Sequence, residues 1–339
     1  MSLRLALVGF GGVNRTLVRL LHERGTELAA AGHRFAVTAV SDQHFGEITD
    51  PNGINLEKLA NASSDQGSFA GFNGGKSTCD PLALLQLCEA DVAIEATYSN
   101  PVDGQPALSF CRKAVARGMH VITTNKGPAT FSAPELRAEA AKHGRQFLFE
   151  GTVMSGTPVL RFAENCLVGN RVTGFRGILN GTANFVLGRV EEGLAMAEGI
   201  AEAQALGYAE ANPDADLKGS DVALKVAILA NTIMGAAITP ADIKCVGIAD
   251  LQEEEIRDAT RNGARWKLIG EAKQDLEGAI HASVEPQLLP LSDPLSGVSG
   301  ATNAITFSTD LLGDVTVSGP GAGKVETAYA ILSDLLHLK

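Results

Sequence analysis

The sequence predicts an α/β protein in which a doubly wound parallel sheet is joined to a second, α+β domain. Three observations carry this prediction. Short apolar runs alternate with amphipathic helical stretches through the first part of the chain. The rhythm changes after Glu150. The chain has 339 residues, more than one hydrophobic core usually serves.

In order, Leu5–Ala6–Leu7–Val8 is a short apolar strand that ends in glycines, and Val13 to Arg24 follows as a helix with Val13, Leu17, Val18, Leu20 and Leu21 on its apolar positions. Phe35 to Val40 is the next strand. Pro81 to Glu89 is helical with proline in its first turn, and Val92–Ala93–Ile94 is a buried strand. Pro106 to Arg117 and Pro134 to His143 are helices, each followed by a strand, His120 to Thr123 and Phe147 to Phe149. Strands separated by helices of this length pair in parallel. Beyond Glu150, Val172 to Ile178 is a strand, Met196–Leu206, Asp221–Ala236 and Leu251–Asn262 are helices, and Trp266–Ala272 pairs with Ala279–Val284. Ile305–Ser308 and Val315–Ser318 add strand, and Lys324–Leu336 is a last helix. The expected division is 1–150 plus 319–339 for the first domain and 151–318 for the second.

Composition excludes several classes. Charged residues are 20% and hydrophobic residues 45% of the chain, a globular balance. A net charge of −11 and 5% aromatics leave neither the basic face nor the stacking rings that a nucleic-acid binder needs. No apolar run reaches the roughly 18 residues that span a bilayer, and Leu3 to Gly9 is a strand rather than a signal peptide. Five scattered cysteines, Cys79, Cys88, Cys111, Cys166 and Cys245, form no CxxC pair, which predicts reduced, mostly buried thiols and a cytoplasmic protein.

Gly9–Phe10–Gly11–Gly12–Val13–Asn14 joins the first strand to the first helix. A dinucleotide-binding, Rossmann-type fold needs this turn. The first glycine permits the tight bend, the second lets backbone N–H groups approach a pyrophosphate, and the helix N-terminus adds its positive end. Asn14 replaces the third glycine, which normally serves close helix–strand packing. Asp42 follows the second strand, where an acid accepts from a ribose 2′-hydroxyl and repels a 2′-phosphate, whereas Lys58 could attract one; NAD is expected, with NADP next. Asp42 reads equally as a turn-forming residue.

Lys126 in Thr124–Asn125–Lys126–Gly127–Pro128 stands just past the carboxyl end of a parallel strand, the edge along which such sheets bind ligands. A solvated loop lysine is the plainer alternative. Asp221 and Lys225 lie four apart on one helix face, with Glu210 and Asp216 in the loop before them. Three acids and a lysine suit a substrate that carries an ammonium group and a reacting hydroxyl; an N-capping Asp with a surface ion pair explains the same spacing.

Asn125–Lys126–Gly127–Pro128, Gly177–Ile178–Leu179–Asn180–Gly181–Thr182–Ala183–Asn184–Phe185, Ala203 to Glu210, Asp221 with Lys225, and Gly321–Ala322–Gly323 with Thr327–Ala328 together resemble homoserine dehydrogenase, nearly end to end. The likeness is to the short form, without a C-terminal ACT domain. It implies an NAD- or NADP-dependent interconversion of L-homoserine and L-aspartate 4-semialdehyde in threonine and methionine biosynthesis. A related amino-acid dehydrogenase, such as an aspartate-dehydrogenase-like enzyme, and a non-catalytic nucleotide-binding paralogue stand as alternatives.

The resemblance also implies roles. Lys225 matches the proton donor and acceptor at the substrate hydroxyl, and Lys126 the lysine that orients substrate and cofactor. Glu210 and Asp221 match substrate-binding acids, with Asp216 beside them. Gly207 and Gly323 match glycines that approach the cofactor, and Thr97 a threonine at the end of a Rossmann strand. A monovalent cation such as Na+, bound by backbone carbonyls, maps onto Glu150, Val153, Ser155 and Thr157; an empty loop is the alternative. The family also implies a homodimer formed through a sheet, with the second domain split into a catalytic part (about 160–277) and a dimerisation part (about 151–160 and 278–318).

Overall fold

The computed structural model describes residues 2–62 and 68–339. The chain divides into two compact units, Met1–Thr152 with Gly323–Lys339, and Val153–Ala322.

The first unit runs β1 (Leu3–Val8), α1 (Gly12–Glu23), α2 (Gly25–Ala30), β2 (Phe35–Asp42), β3 (Gly46–Thr49), α3 (Leu56–Ala60), β4 (Gly75–Lys76), α4 (Pro81–Leu87), β5 (Val92–Glu95), α5 (Ala107–Ala116), β6 (His120–Thr123), α6 (Lys126–Lys142) and β7 (Phe147–Leu148). Its sheet has the order β4-β3-β2-β1-β5-β6-β7. β2, β1, β5, β6 and β7 are parallel, while β3 and β4 extend the β2 edge antiparallel. The chain moves outward from β1 to β2, then crosses back to β5 on the other side of β1. The switch point of this doubly wound sheet therefore lies between β1 and β5, where such folds bind ligands. β5 and β6 are buried at every position, as strands covered on both faces must be.

The second unit contains α7 (Val159–Cys166), β8 (Val172–Ile178), α8 (Gly181–Glu191), α9 (Met196–Ala205), α10 (Asp214–Leu217), α11 (Ser220–Ile233), β9 (Lys244–Cys245), α12 (Glu253–Arg261), β10 (Ala264–Gln274), β11 (Ile280–Pro290), β12 (Thr302–Thr309) and β13 (Gly313–Pro320). Its six strands are ordered β13-β12-β8-β10-β11-β9, antiparallel except where β9 joins β11. α11 lies hard against β10. A side chain at Gly270 would come within 2.6 Å of Val222 and 2.7 Å of Val226, so glycine is what lets this helix approach. Close packing of Val222 and Val226 on the sheet fixes the rotation of α11, and with it the positions of Asp221 and Lys225.

The last helix, α13 (Lys324–Leu336), returns to the first unit and packs on α1. Ala328, Ile331, Leu332 and Leu335 join Leu5, Leu7, Leu17, Val18, Val40 and Ile94 in its core. Each of the buried valines, leucines and isoleucines contributes about 1.5–3 kcal/mol by burial.

Several elements differ from expectation. α6 begins at Lys126, not Pro134; Ser132 breaks its helical geometry (φ −150°, ψ 18°), and Pro134 starts the second segment. Lys126 is thus a first-turn helical residue rather than a loop lysine. The elements α2, α3, α7, α8 and α10 and the short strands β3, β4 and β9 lie outside the expected set. In α8 the glycine, threonine and asparagine positions are poor helix formers, and the helix is held by its Asn180 cap and by packing. All five cysteines are free, but only Cys88 and Cys111 are buried; Cys166 and Cys245 are exposed.

Candidate active site

In the first unit, the glycine turn sits at the switch point. Val8 pairs with Glu95, and Ala96 N–H donates to Val8 O at 2.9 Å. Gly9 has φ +83°, and a side chain there would come within 2.7 Å of the Ala96 carbonyl oxygen. Gly11 faces open space where a Cβ would stand, as close approach of a pyrophosphate to the backbone requires. Gly12 starts α1 and lies under the stem of Lys324, which is 2.9 Å from where its Cβ would be. These residues fit a bound dinucleotide.

Side chains hold the turn in shape. Phe10 is fully buried, with its ring 5.6 Å from that of Phe45 and 5.5 Å from Phe69, while its N–H donates to Asp42 Oδ2 at 2.7 Å. Val13 packs on the core of the unit. Asn14, in place of the glycine that normally serves close packing, is buried and donates from Nδ2 to Gly9 O at 2.7 Å. Its amide closes the turn that a third glycine would leave to backbone packing alone. Asp42 ends β2, and its other oxygen accepts from His44 N–H at 2.8 Å and Phe45 N–H at 3.2 Å. It therefore makes its own turn and is joined to the glycine turn as well. Lys58 lies on α3, with its N–H donated to Asn55 Oδ1. Gly323 (φ +136°) caps α13.

The carboxyl edge of β5 and β6 carries a network that sequence reasoning missed. Glu95 is 1% exposed. Oε1 accepts from Thr97 N–H at 2.8 Å and from the Thr97 hydroxyl, and Oε2 accepts from the Thr123 hydroxyl at 2.7 Å. Burial pushes its carboxyl up, against the pull of donors on Thr97, Thr123 and Asn125. Asn125 caps α6 directly before Lys126, with Oδ1 accepting from Gly127 N–H at 3.0 Å. An acid ending an otherwise apolar strand was the available signal.

In the second unit the buried Lys225 donates from Nζ to Asp221 Oδ2 at 2.7 Å and to Leu179 O at 2.7 Å. The pair is i,i+4, with Asp221 in the first turn of α11, where the helix dipole favours an acid, and Lys225 one turn on. Asn180 Nδ2 donates to Asp216 Oδ1 at 2.6 Å and to Asp221 Oδ2 at 2.9 Å, while its Oδ1 accepts from Ala183 N–H at 2.8 Å and caps α8. Asn180 thus binds the two carboxylates together. Burial pushes the Asp216 carboxyl up, and the neighbouring Asp221 charge adds to it against the hydrogen bond from Asn180. The Asn180 side chain belongs to a motif that the sequence displays but to which no role had been given.

Glu210 is brought less close. It is exposed, and its carbonyl accepts from Gln204 Nε2 at 3.1 Å, while its carboxylate is outside the Asn180 network. Gly207 (φ +76°) has a local reason for being glycine: with Gly207 N–H on Gln204 O and Tyr208 N–H on Ala203 O it ends α9 in a Schellman turn. Thr182 ties this loop to α8 by donating to Tyr208 O at 2.7 Å. In the Val153–Thr157 segment Val153 is buried, Met154 and Ser155 are left-handed (φ 55° and 51°), and the Thr157 hydroxyl donates to Pro320 O at 2.9 Å. Glu150 belongs to the first unit, where its N–H donates to Asp334 at 3.2 Å.

The first unit carries a glycine turn at the switch point of a parallel sheet, the feature of nicotinamide-dinucleotide oxidoreductases, and the second carries a buried lysine paired with Asp221, one of two carboxylates that Asn180 links. The family follows from likeness to known proteins. The model of the homoserine dehydrogenase NAD-binding domain matches residues 9–150, and the homoserine dehydrogenase model matches 158–336. The NAD(+)-dependent homoserine dehydrogenase of Pseudomonas canavaninivorans is 51% identical over 99% of this chain and 96% of its own. The crystal structure of a homoserine dehydrogenase from Thiobacillus denitrificans superposes with TM-score 0.83 at 30% identity, covering 99% of this chain and 73% of that one. A hyperthermophilic archaeal homoserine dehydrogenase in complex with NADPH gives TM-score 0.83 at 25% identity, over 99% of this chain and 97% of that one. The chain belongs to the homoserine dehydrogenase family. This supports the homoserine reading and not a related amino-acid dehydrogenase or a non-catalytic paralogue. Among the described residues no helix is long and apolar enough to cross a membrane.

Proposed function

We propose that this chain interconverts L-homoserine and L-aspartate 4-semialdehyde with NAD or NADP held at the glycine turn, and that Lys225 handles the hydroxyl proton. The observation that carries the assignment of Lys225 is its setting. Asp221 and Leu179 O take two of the N–H bonds of Lys225 and leave its third position for a substrate oxygen: on the neutral amine that position is a lone pair able to take a proton, on the ammonium it is an N–H able to give one. When bound, the nicotinamide supplies the hydride chemistry. As the neutral amine Lys225 receives the hydroxyl proton on oxidation and becomes the ammonium; on reduction the ammonium returns that proton to the new alkoxide oxygen. Asp221 and Asp216 hold the substrate ammonium with Glu210, and Lys126 orients substrate and cofactor. The test is homoserine-dependent reduction of NAD and of NADP by the purified protein, followed by absorbance of the reduced cofactor. No turnover with either would overturn the proposal.

NAD is the preferred cofactor in this reading, because the Asp42 charge at the end of β2 repels a 2′-phosphate; the Pseudomonas relative is NAD(+)-dependent, the archaeal one binds NADPH. The tight turn at Met154 and Ser155 supports carbonyl ligation of a monovalent cation such as Na+ by Val153, Ser155 and Thr157, with Glu150 just before them; exchange of Na+ for choline in the assay tests this. β13 is an edge strand with five of its eight residues exposed, which supports a homodimer formed by residues near 151–160 and 278–318, with 160–277 catalytic. Sedimentation decides the state. A cytoplasmic location completes the reading.

A further inference from the structure

We propose that Glu95 is a positioning residue for the nicotinamide end of the cofactor, fixing the two loops at the switch point and favouring the oxidised, positively charged form. This rests on the dinucleotide-dependent function proposed above. Glu95 stands beside Val8 in register, immediately before the turn at Gly9 and on the strand that flanks the switch point. Through Thr97 it sets the loop after β5. Through Thr123, whose hydroxyl also accepts from Asn125 N–H at 3.0 Å, it sets the cap of α6. Asn125 closes the circuit, since its Nδ2 donates to Tyr98 O at 2.9 Å and its Oδ1 accepts from the Ser99 hydroxyl at 2.9 Å. One carboxylate thus governs both loops that border the cofactor edge and the residue before Lys126.

The second part of the proposal comes from what Glu95 lacks. A fully buried carboxylate costs free energy unless it is paired. Glu95 has hydroxyl and amide donors but no ion pair with any described residue. The oxidised nicotinamide ring is the cation that a dinucleotide would bring to this edge, and the reduced ring is neutral. In a poorly screened site the carboxylate distinguishes the two.

Titration calorimetry of NAD+ and NADH into the wild type and Glu95→Gln, with thermal melting of each protein, tests this. Glutamine keeps the shape and removes the charge. The dissociation constant for NAD+ is expected to rise about tenfold and that for NADH by less than about threefold, with melting near that of the wild type. No change in either constant, or equal weakening of both, would overturn the proposal. Should Glu95→Gln not fold, Thr123→Val strips one donor from the carboxylate, and the ratio of the two constants is expected to shift at least about twofold in the same direction; an unchanged ratio counts against Glu95. A wild type that binds neither form would sink the dinucleotide reading itself, whereas tight wild-type binding with an unaltered ratio in Glu95→Gln removes only the role of Glu95.

Discussion

Asn180 and Asp221, 41 residues apart in sequence, meet through a 2.9 Å hydrogen bond onto the same carboxylate oxygen that holds Lys225. The amide also reaches Asp216, so one side chain keeps two acids together that would otherwise repel. Asn180→Asp keeps a good helix cap and turns the shared donor into a third carboxylate. We expect kcat/KM for homoserine to fall at least about tenfold and the melting temperature to fall as well at neutral pH, since three largely buried carboxylates then face one another. Activity near the wild-type value would remove Asn180 from the site.

Lys225→Ala leaves Asp221 on Asn180 but takes away the remaining N–H. A loss in kcat of about 10²–10⁴-fold is expected, the usual worth of a positioned acid–base group, with little change in cofactor affinity. Steady-state kinetics with a parallel cofactor titration reads both quantities, and turnover within a few-fold of wild type would exclude the role.

Glu210 separates substrate recognition from solvation. If its carboxylate meets the homoserine ammonium, 4-hydroxybutyrate, which lacks that group, is turned over at least tens of times less efficiently, and Glu210→Gln narrows the difference; such charge-assisted bonds are worth roughly 1.5–3 kcal/mol. The ratio of kcat/KM for the two substrates is the measurement. An unchanged ratio would leave Glu210 a solvated loop acid, in keeping with its exposure.

Cofactor choice turns on Asp42. The wild type should prefer NAD, and Asp42→Ala should narrow its lead over NADP by relieving repulsion of the 2′-phosphate. The same change frees Phe10 N–H, so affinity for both cofactors should weaken as well. A strong NADP preference that Lys58→Ala abolishes would show that the lysine reads this position.

Asp216 gives a pH dependence. Burial raises its carboxyl in the folded protein, so the unfolded chain loses that proton first as pH rises. Folded protein then binds more protons, and stability falls as pH climbs from the ordinary aspartate value of about 3.9 to the raised one, then levels off. Asp216→Asn keeps an acceptor for Asn180 and removes the charge. It should melt higher than wild type at neutral pH, with the advantage shrinking toward acid. Equal melting curves across pH would show that the acid is not under this burden.

Much of this was legible locally. The glycine turn between an apolar strand and helix, and the i,i+4 spacing of Asp221 and Lys225, are short-range patterns, and the structure places each in the geometry that its spacing implies. The cysteines and α6 were read less well because exposure and a kink at Ser132 depend on neighbours that local patterns do not contain.

The sequence by itself determined the alternation that builds the parallel sheet, its glycine turn and the lysine–acid pair, since these depend on backbone periodicity and side chains a few residues apart. Only the tertiary structure decided that Asn180 links Asp216 to Asp221, that Asn14 closes the glycine turn, and that Glu95 is buried with no ion-pair partner among the described residues. Those outcomes depend on desolvation and on hydrogen bonds between segments far apart in the chain, which exist only once the strands and helices have packed.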